Sequence, residues 1–217
     1  MKKTGILISL ICVLMITQNS SAIWHVGNVR LTAYGVKATI FTPGSPPFMY
    51  SNSQSSWVST AGPYWMQIGW ILFPDWSKPQ QYYEYCTSPC LYPENYIFQY
   101  LGEINWSTYA IYDVHLAAID NYWCAYINNY MKICPGDLVT APVEVQALSE
   151  SHHPWNFINT IFSSVKYQDS NALWRPFDMG LWSEDPPYYV QIYSTDYYQN
   201  LRNDTLNTYL PIVLLDY

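Results

Sequence analysis

Three residues of this chain carry polar chemistry in apolar surroundings. In YWMQIGWILFPDW, residues 64–76, Gln67 interrupts a run of aromatic and aliphatic side chains from Trp65 to Phe73. A buried amide without partners costs roughly 1–3 kcal/mol, so Gln67 is either a core glutamine bonded to a neighbouring loop or an amide aimed at a ligand. In QYYEYC, residues 81–86, Glu84 stands between two tyrosines. Desolvation by aromatic rings raises a carboxyl pKa unless hydrogen bonds reach the charged form, and a raised pKa suits an acid or a base. In VEVQALSESHH, residues 143–153, Glu150 ends an alternating segment just before a His-His-Pro turn. Glu84 and Glu150 read equally well as ordinary solvent-facing strand residues.

These residues need strands to position them. Period two puts Trp65, Gln67, Gly69, Ile71 and Phe73 on one face of their segment, and Met66, Ile68, Trp70 and Leu72 on the other. Gly69 follows Gln67 on its face and leaves room there for a ligand or another backbone. In the later segment Val143, Val145 and Ala147 share one face, while Glu144, Gln146, Leu148 and Glu150 share the other. Further strands are expected at 36–41, 56–59, 81–85, 96–101, 109–119, 123–127, 188–193 and 209–215. Turn material such as TPGSPP, SKPQ, SPCLYPEN and CPGD separates them. Short strands rich in Tyr, Trp, Val, Ile and Thr, with Pro/Gly turns between, imply an all-β sandwich or barrel. One helix is expected in a loop, over HPWNFINTIFSSVKY at 153–167, where apolar residues fall at helical spacing.

The chain opens MKKTGILISLICVLMITQNSSA, two lysines, a short apolar run and a small-residue cleavage site. Residues 1–22 read as a secretory signal peptide, and 23–217 as one exported domain without a membrane anchor. Loss of Lys2 and Lys3 moves the formal charge from −7 to −9, which argues against a nucleic-acid partner. Charged residues make up only 12% of the chain, about half the usual share. Tyr, Trp, Ser, Thr, Asn and Gln supply the polar surface instead. Such a surface stays solvated in acid, where carboxylates lose their charge; it also suits any Tyr-rich secreted β-protein. Four cysteines remain after Cys12 leaves, and an even count in an exported chain reads as disulfides. Of three possible pairings, Cys86–Cys90 and Cys124–Cys134 are expected, because each closes a short loop containing turn residues.

Short motifs, taken in order, resemble the glutamic peptidases of the eqolisin type, with plant neprosin-like proteases as more distant relatives. Ser56-Trp57-Val58 followed by Gly62 resembles the W-V-G…G entry strand. Gln67-Ile68-Gly69 resembles the Q-x-G strand, and with Trp70 it is also similar to the neprosin-like E-x-G-W. Tyr83-Glu84-Tyr85 resembles W-Y-E-W, and Val145 to Glu150 resembles A-E-W-I-V-E. The resemblance spans about residues 56–150, with Gln67 and Glu150 separated by 83 positions. It departs from the pattern in two places: STAG lacks the acidic residue of the entry strand, and the tryptophan near the end of the last strand is missing. The resemblance implies an antiparallel β-sandwich of the concanavalin-like, jelly-roll kind. It implies a protein or peptide substrate, hydrolysed in acid without metal or cofactor. Gln67 and Glu150 would be the catalytic pair, with Glu84, Trp57 and Gly69 in support.

Other chemistries have weaker sequence support. Trp65, Trp70, Trp76, Trp106 and Trp123 would serve a carbohydrate-binding sandwich if their faces were exposed, though tryptophans are more often core. Glu150, His152 and His153 invite a metal site, but adjacent strand residues point oppositely and no H-E-x-x-H is present. His25, His115, His152 and His153 provide bases for a Ser or Cys nucleophile, yet no G-x-S-x-G occurs and the cysteines are expected to be oxidised.

Overall fold

The structure is a computed structural model, and it describes residues 23–44, 49, 51–62, 64–87, 95–117, 122–136, 141–178 and 180–202. The expected signal peptide and the strand expected at 209–215 lie outside the described residues. In chain order the strands of one sheet are β1 (Trp24–Ala33), β3 (Gln54–Ala61), β4 (Trp65–Leu72), β5 (Gln80–Cys86), β6 (Tyr96–Glu103), β10 (Val143–Ser151) and β13 (Leu181–Glu184). Those of the other are β2 (Gly35–Phe41), β7 (Tyr109–Leu116), β8 (Trp123–Ile127), β9 (Tyr130–Ile133), β11 (Asn159–Gln168), β12 (Trp174–Pro176), β14 (Tyr188–Ser194) and β15 (Tyr197–Arg202). The first sheet runs β13-β1-β10-β3-β4-β5-β6 and the second β14-β15-β11-β2-β7-β8-β9, with β12 on β11. The paired strands are antiparallel, as the sequence leads one to expect of an all-β sandwich.

The inner faces meet in one apolar layer. Met66, Ile68, Trp70 and Leu72 of β4 and Val143, Val145 and Ala147 of β10 pack there with Ala38, Tyr112, Val114, Trp123 and Phe162 of the opposite sheet. The alternation read from β4 and β10 therefore holds: one face builds the core, and Gln67 and Glu150 are left on the outer face. One polar seam crosses the core. Ser56 Oγ lies 2.8 Å from Ser149 Oγ and donates to Thr160 Oγ1 at 3.1 Å, and Asn200 Nδ2 donates to Ser149 Oγ and the Val26 carbonyl. These bonds satisfy buried polar groups and tie β3, β10 and β1 to β11 and β15.

The expected loop helix is a correction. Among the described residues there is no helix, and residues 159–168 form β11. A bulge explains the misleading spacing. The register against β2 shifts between Ser163 and Lys166, and Ser164 takes a φ of 52°. The extra residue lets Phe162 and Val165, three apart, both point into the core beside Thr160. A bulged strand thus carries the i, i+3 spacing of a helix. Cys124 and Cys134 form the expected disulfide, with an S–S distance of 2.00 Å. Cys86 is also disulfide-bonded, and Cys90 lies outside the described residues. Among the described residues no helix is long and apolar enough to cross a membrane.

Candidate active site

The outer face of the first sheet carries a cleft of about 400 Å³, lined among others by His25, Trp57, Gln67, Glu84, Tyr96 and Glu150. Strand register builds it. Gln67 of β4 is directly opposite Glu84 of β5, and on its other side opposite Ser59 of β3. Glu150 of β10 is directly opposite His25 of β1 and Ser55 of β3. On β3, Trp57 falls between Ser55 and Ser59 on the same face, opposite both Leu148 and Gly69. Its ring is almost fully buried and packs with Ile71, Tyr82 and Leu148 in a small apolar cluster. Trp57 therefore floors the sheet between the row of Gln67 and the row of Glu150.

Gly69 permits this floor. A Cβ there would stand 2.1 Å from the Ser56 carbonyl oxygen and 2.7 Å from Trp57 Cα and Cβ. The space above Gly69 belongs to the neighbouring strand, not to a ligand, which settles the alternative left open by the sequence.

Gln67 is buried and hydrogen-bonded at its nitrogen end. Nε2 donates to Tyr82 Oη at 2.8 Å and to Glu84 Oε1. Glu84 Oε2 accepts from the Tyr96 hydroxyl. Phe98 stacks on Tyr82 with ring centroids 5.2 Å apart and helps keep water from this side. Burial pushes the Glu84 carboxyl up to about 7, and the negative charge of Glu150 adds to it. The bonds from Tyr96 and Gln67 and the charge of His152 act the other way and do not overcome the burial. The raised pKa is the one expected, but its cause is not the rings flanking Glu84 in sequence: Tyr83 and Tyr85 pack against the inter-sheet core, on the other face of β5.

Glu150 is held by two imidazoles. His152 Nε2 lies 2.6 Å from Oε1, and His25 Nε2 lies 3.3 Å from Oε2. The carboxyl is only 16% exposed, and burial alone would raise its pKa. The hydrogen bonds and positive charge of His152 and His25 reverse this and hold it down to about 2. The Glu150 bond in turn raises His152 above the usual imidazole range. Asp185 accepts the backbone N–H of His25 at 2.8 Å and anchors that residue.

The structure thus brings Gln67, Glu84, Trp57 and Glu150 to one cleft and seats Gly69 beneath it. Sequence reasoning weighed His25 and His152 only as bases for a nucleophile or, for His152, as a metal ligand, not as partners of Glu150, and it passed over Tyr82 and Tyr96. His152 left a usable signal: it is two residues from Glu150, so strand alternation returns it to the same side. His25 left none, because 125 residues separate it from Glu150 and only the β1–β10 pairing joins them. Of the tryptophans considered for sugar stacking, Trp70 and Trp123 are core residues and have no face to offer. Among the described residues no group of His, Cys, Asp and Glu is arranged to hold a metal ion.

No protein-family model and no curated protein matches the chain. Solved structures do. The fold is similar to that of Scytalido-glutamic peptidase bound to a peptide-based transition-state analogue, with a TM-score of 0.61 and 14% identity over 83% of this chain and 98% of that one. It is similar to SCP-B, a member of the eqolisin family of peptidases, in complex with the tripeptide Ala-Ile-His, with a TM-score of 0.62 and 13% identity over the same shares. In fold the chain thus bears a distant structural resemblance to the eqolisin-type glutamic peptidases.

Proposed function

We propose that this chain is a secreted, single-domain acid endopeptidase that hydrolyses peptide bonds with Gln67 and Glu150. The observation that carries the reading is the convergence of Gln67, Glu84 and Glu150 on one cleft, in a sheet of the fold that two glutamic peptidases share. A peptide carbonyl enters between the two side chains. Glu150, ionised down to about pH 2 by its histidines, accepts a proton from water as the oxygen attacks the carbonyl carbon. The Gln67 amide donates to the oxyanion that develops. Glu150 then returns the proton to the departing nitrogen, so one carboxylate serves as base and acid in turn. A positioned base contributes ~10²–10⁴-fold and an oxyanion donor roughly 10²–10³-fold. An amide does not titrate, which suits a donor that works in acid.

The test is hydrolysis of denatured casein between pH 2 and 7 by the wild type, Glu150→Gln and Gln67→Ala, with chelators and with serine and cysteine blockers. Acid activity that resists the inhibitors and disappears in both variants supports the pair. Folded protein without activity at any pH removes the peptidase reading.

A further inference from the structure

Gln67 raises a difficulty that points to a further role. An amide NH₂ has two hydrogens, and here Tyr82 Oη and Glu84 Oε1 take both. In this arrangement Oε1 is the end of the amide left for the cleft, and an oxygen there repels an oxyanion. The amide must turn over before it can donate to a substrate.

Its surroundings allow this under one condition. The Tyr82 hydroxyl both donates and accepts, so it serves either end of the amide. Glu84 does not. Ionised, it only accepts, and it holds the NH₂ end. Protonated, it has an O–H to donate, and it holds the carbonyl end while Tyr96 still donates to its other oxygen. A turned amide facing an ionised Glu84 would set oxygen against oxygen in a buried place, which is costly.

We propose that Glu84 is the positioning residue of Gln67, and that the proton on Glu84 decides which end of the amide faces the cleft. With the proton, both N–H groups of Gln67 point to the substrate; without it, Oε1 does. The inference rests on the reading of Gln67 as oxyanion donor. The groups that face Glu84 are Gln67 from β4, Tyr82 on its own strand, Tyr96 and Tyr100 from β6, and Glu150 and His152 at the end of β10. Burial and Glu150 favour the neutral carboxyl, and the resulting value of about 7 keeps the proton in place throughout the acid range.

The experiment pairs kinetics with NMR. kcat/KM for casein peptides is measured against pH for the wild type, Glu84→Gln and Glu84→Ala, and NOEs from the Gln67 NH₂ protons are recorded at pH 5 and pH 8.5. Wild-type activity should fall as pH rises through the Glu84 titration. An amide at position 84 can donate to Gln67 Oε1 at every pH, so Glu84→Gln should move that falling limb up by at least one pH unit. Glu84→Ala holds neither end and should lower kcat at least tenfold with less effect on KM. The NOEs to the Tyr82 and Tyr96 rings should be present at pH 8.5 and lost at pH 5 in the wild type. A falling limb unmoved in Glu84→Gln, or NOEs to both rings that persist at pH 5, overturns the proposal. If the wild type hydrolyses nothing, the peptidase reading fails, and the NOEs still decide whether the proton turns the amide.

Discussion

Glu84 and Glu150 lie on one face of one sheet, line one cleft, and are both largely removed from water. Their carboxyls are nevertheless driven to opposite ends of the acid range, about 7 for Glu84 and about 2 for Glu150. Desolvation is the largest single influence on each and pushes both the same way. The difference lies in the partners. A phenol and an amide hydrogen-bond Glu84; both are neutral and stabilise its charge only modestly, while the more distant charges of Glu150 and His152 oppose each other there. Two imidazoles face Glu150, and they bring positive charge as well as hydrogen bonds. In a buried place the charge of the neighbours, more than their number, decides which carboxyl keeps its proton. Two like groups with well-separated pKa values can take different parts in one reaction.

The comparison is tested most severely by exchanging each carboxylate for its amide. Glu150→Gln should lower kcat/KM by ~10²–10⁴-fold, the range for removing a positioned base. Glu84→Gln should act chiefly on where the pH profile falls. Equal losses in both would mean that the two residues do not divide the work.

A second variant makes Glu150 resemble Glu84. In His25→Gln/His152→Gln the donors remain and the positive charge goes. The acid limb of the pH–rate profile should climb from near pH 2 to above pH 4, costing roughly 100-fold at pH 2.5, since tenfold corresponds to one pH unit below a base's pKa. An acid limb that stays in place would show that the histidines do not hold Glu150 down.

Stability should follow the same opposition. The Glu84 pKa is raised from an ordinary value of 4.5, so the folded state binds its proton more tightly and stability falls as pH rises from about 4.5 to about 7. The Glu150 pKa is depressed, so its contribution is present above about 4.5 and is lost as pH falls to about 2. Each effect is on the order of 3 kcal/mol. The raised His152 pKa adds to the alkaline side, because its contribution is complete below 6.5 and is lost as pH rises through the folded value. Thermal unfolding of the wild type should therefore show its highest Tm near pH 4–5, with several degrees lost on either side. Glu84→Gln should flatten the decline between pH 4.5 and 7. A Tm that rises steadily to pH 8 would contradict the assignment.

The smallest effect is expected at Tyr96. Tyr96→Phe removes a hydrogen bond that favours the charged form of Glu84. The falling limb of activity should rise by less than one pH unit, with kcat little altered. A downward shift would mean that the hydroxyl favours the neutral carboxyl instead.

Much of this frame is legible in the chain. Unbroken period two in β4 and β10 separates a core face from a site face, because a residue's side of a strand follows from its parity alone. Most strands fall where β-branched and aromatic runs lie between Pro/Gly turns. The reading fails at β11, where the bulge near Ser164 breaks that parity and imitates a helix. It also passed over β1, whose mixed WHVGNVRLTA shows little alternation, although β1 delivers His25.

By itself the sequence determined an all-β chain, the faces of β4 and β10, and the polar residues that stand on the outer one. Local patterning suffices for these, because they depend on neighbours a few positions away. Only the tertiary structure decided that His25 reaches Glu150, that Tyr82 and Glu84 occupy the nitrogen end of Gln67, and that one carboxyl is held near 2 while the other rises to about 7. Those outcomes are set by desolvation and by charges within a few ångströms, and strand pairing brings the decisive groups together from positions as far apart as 25 and 150.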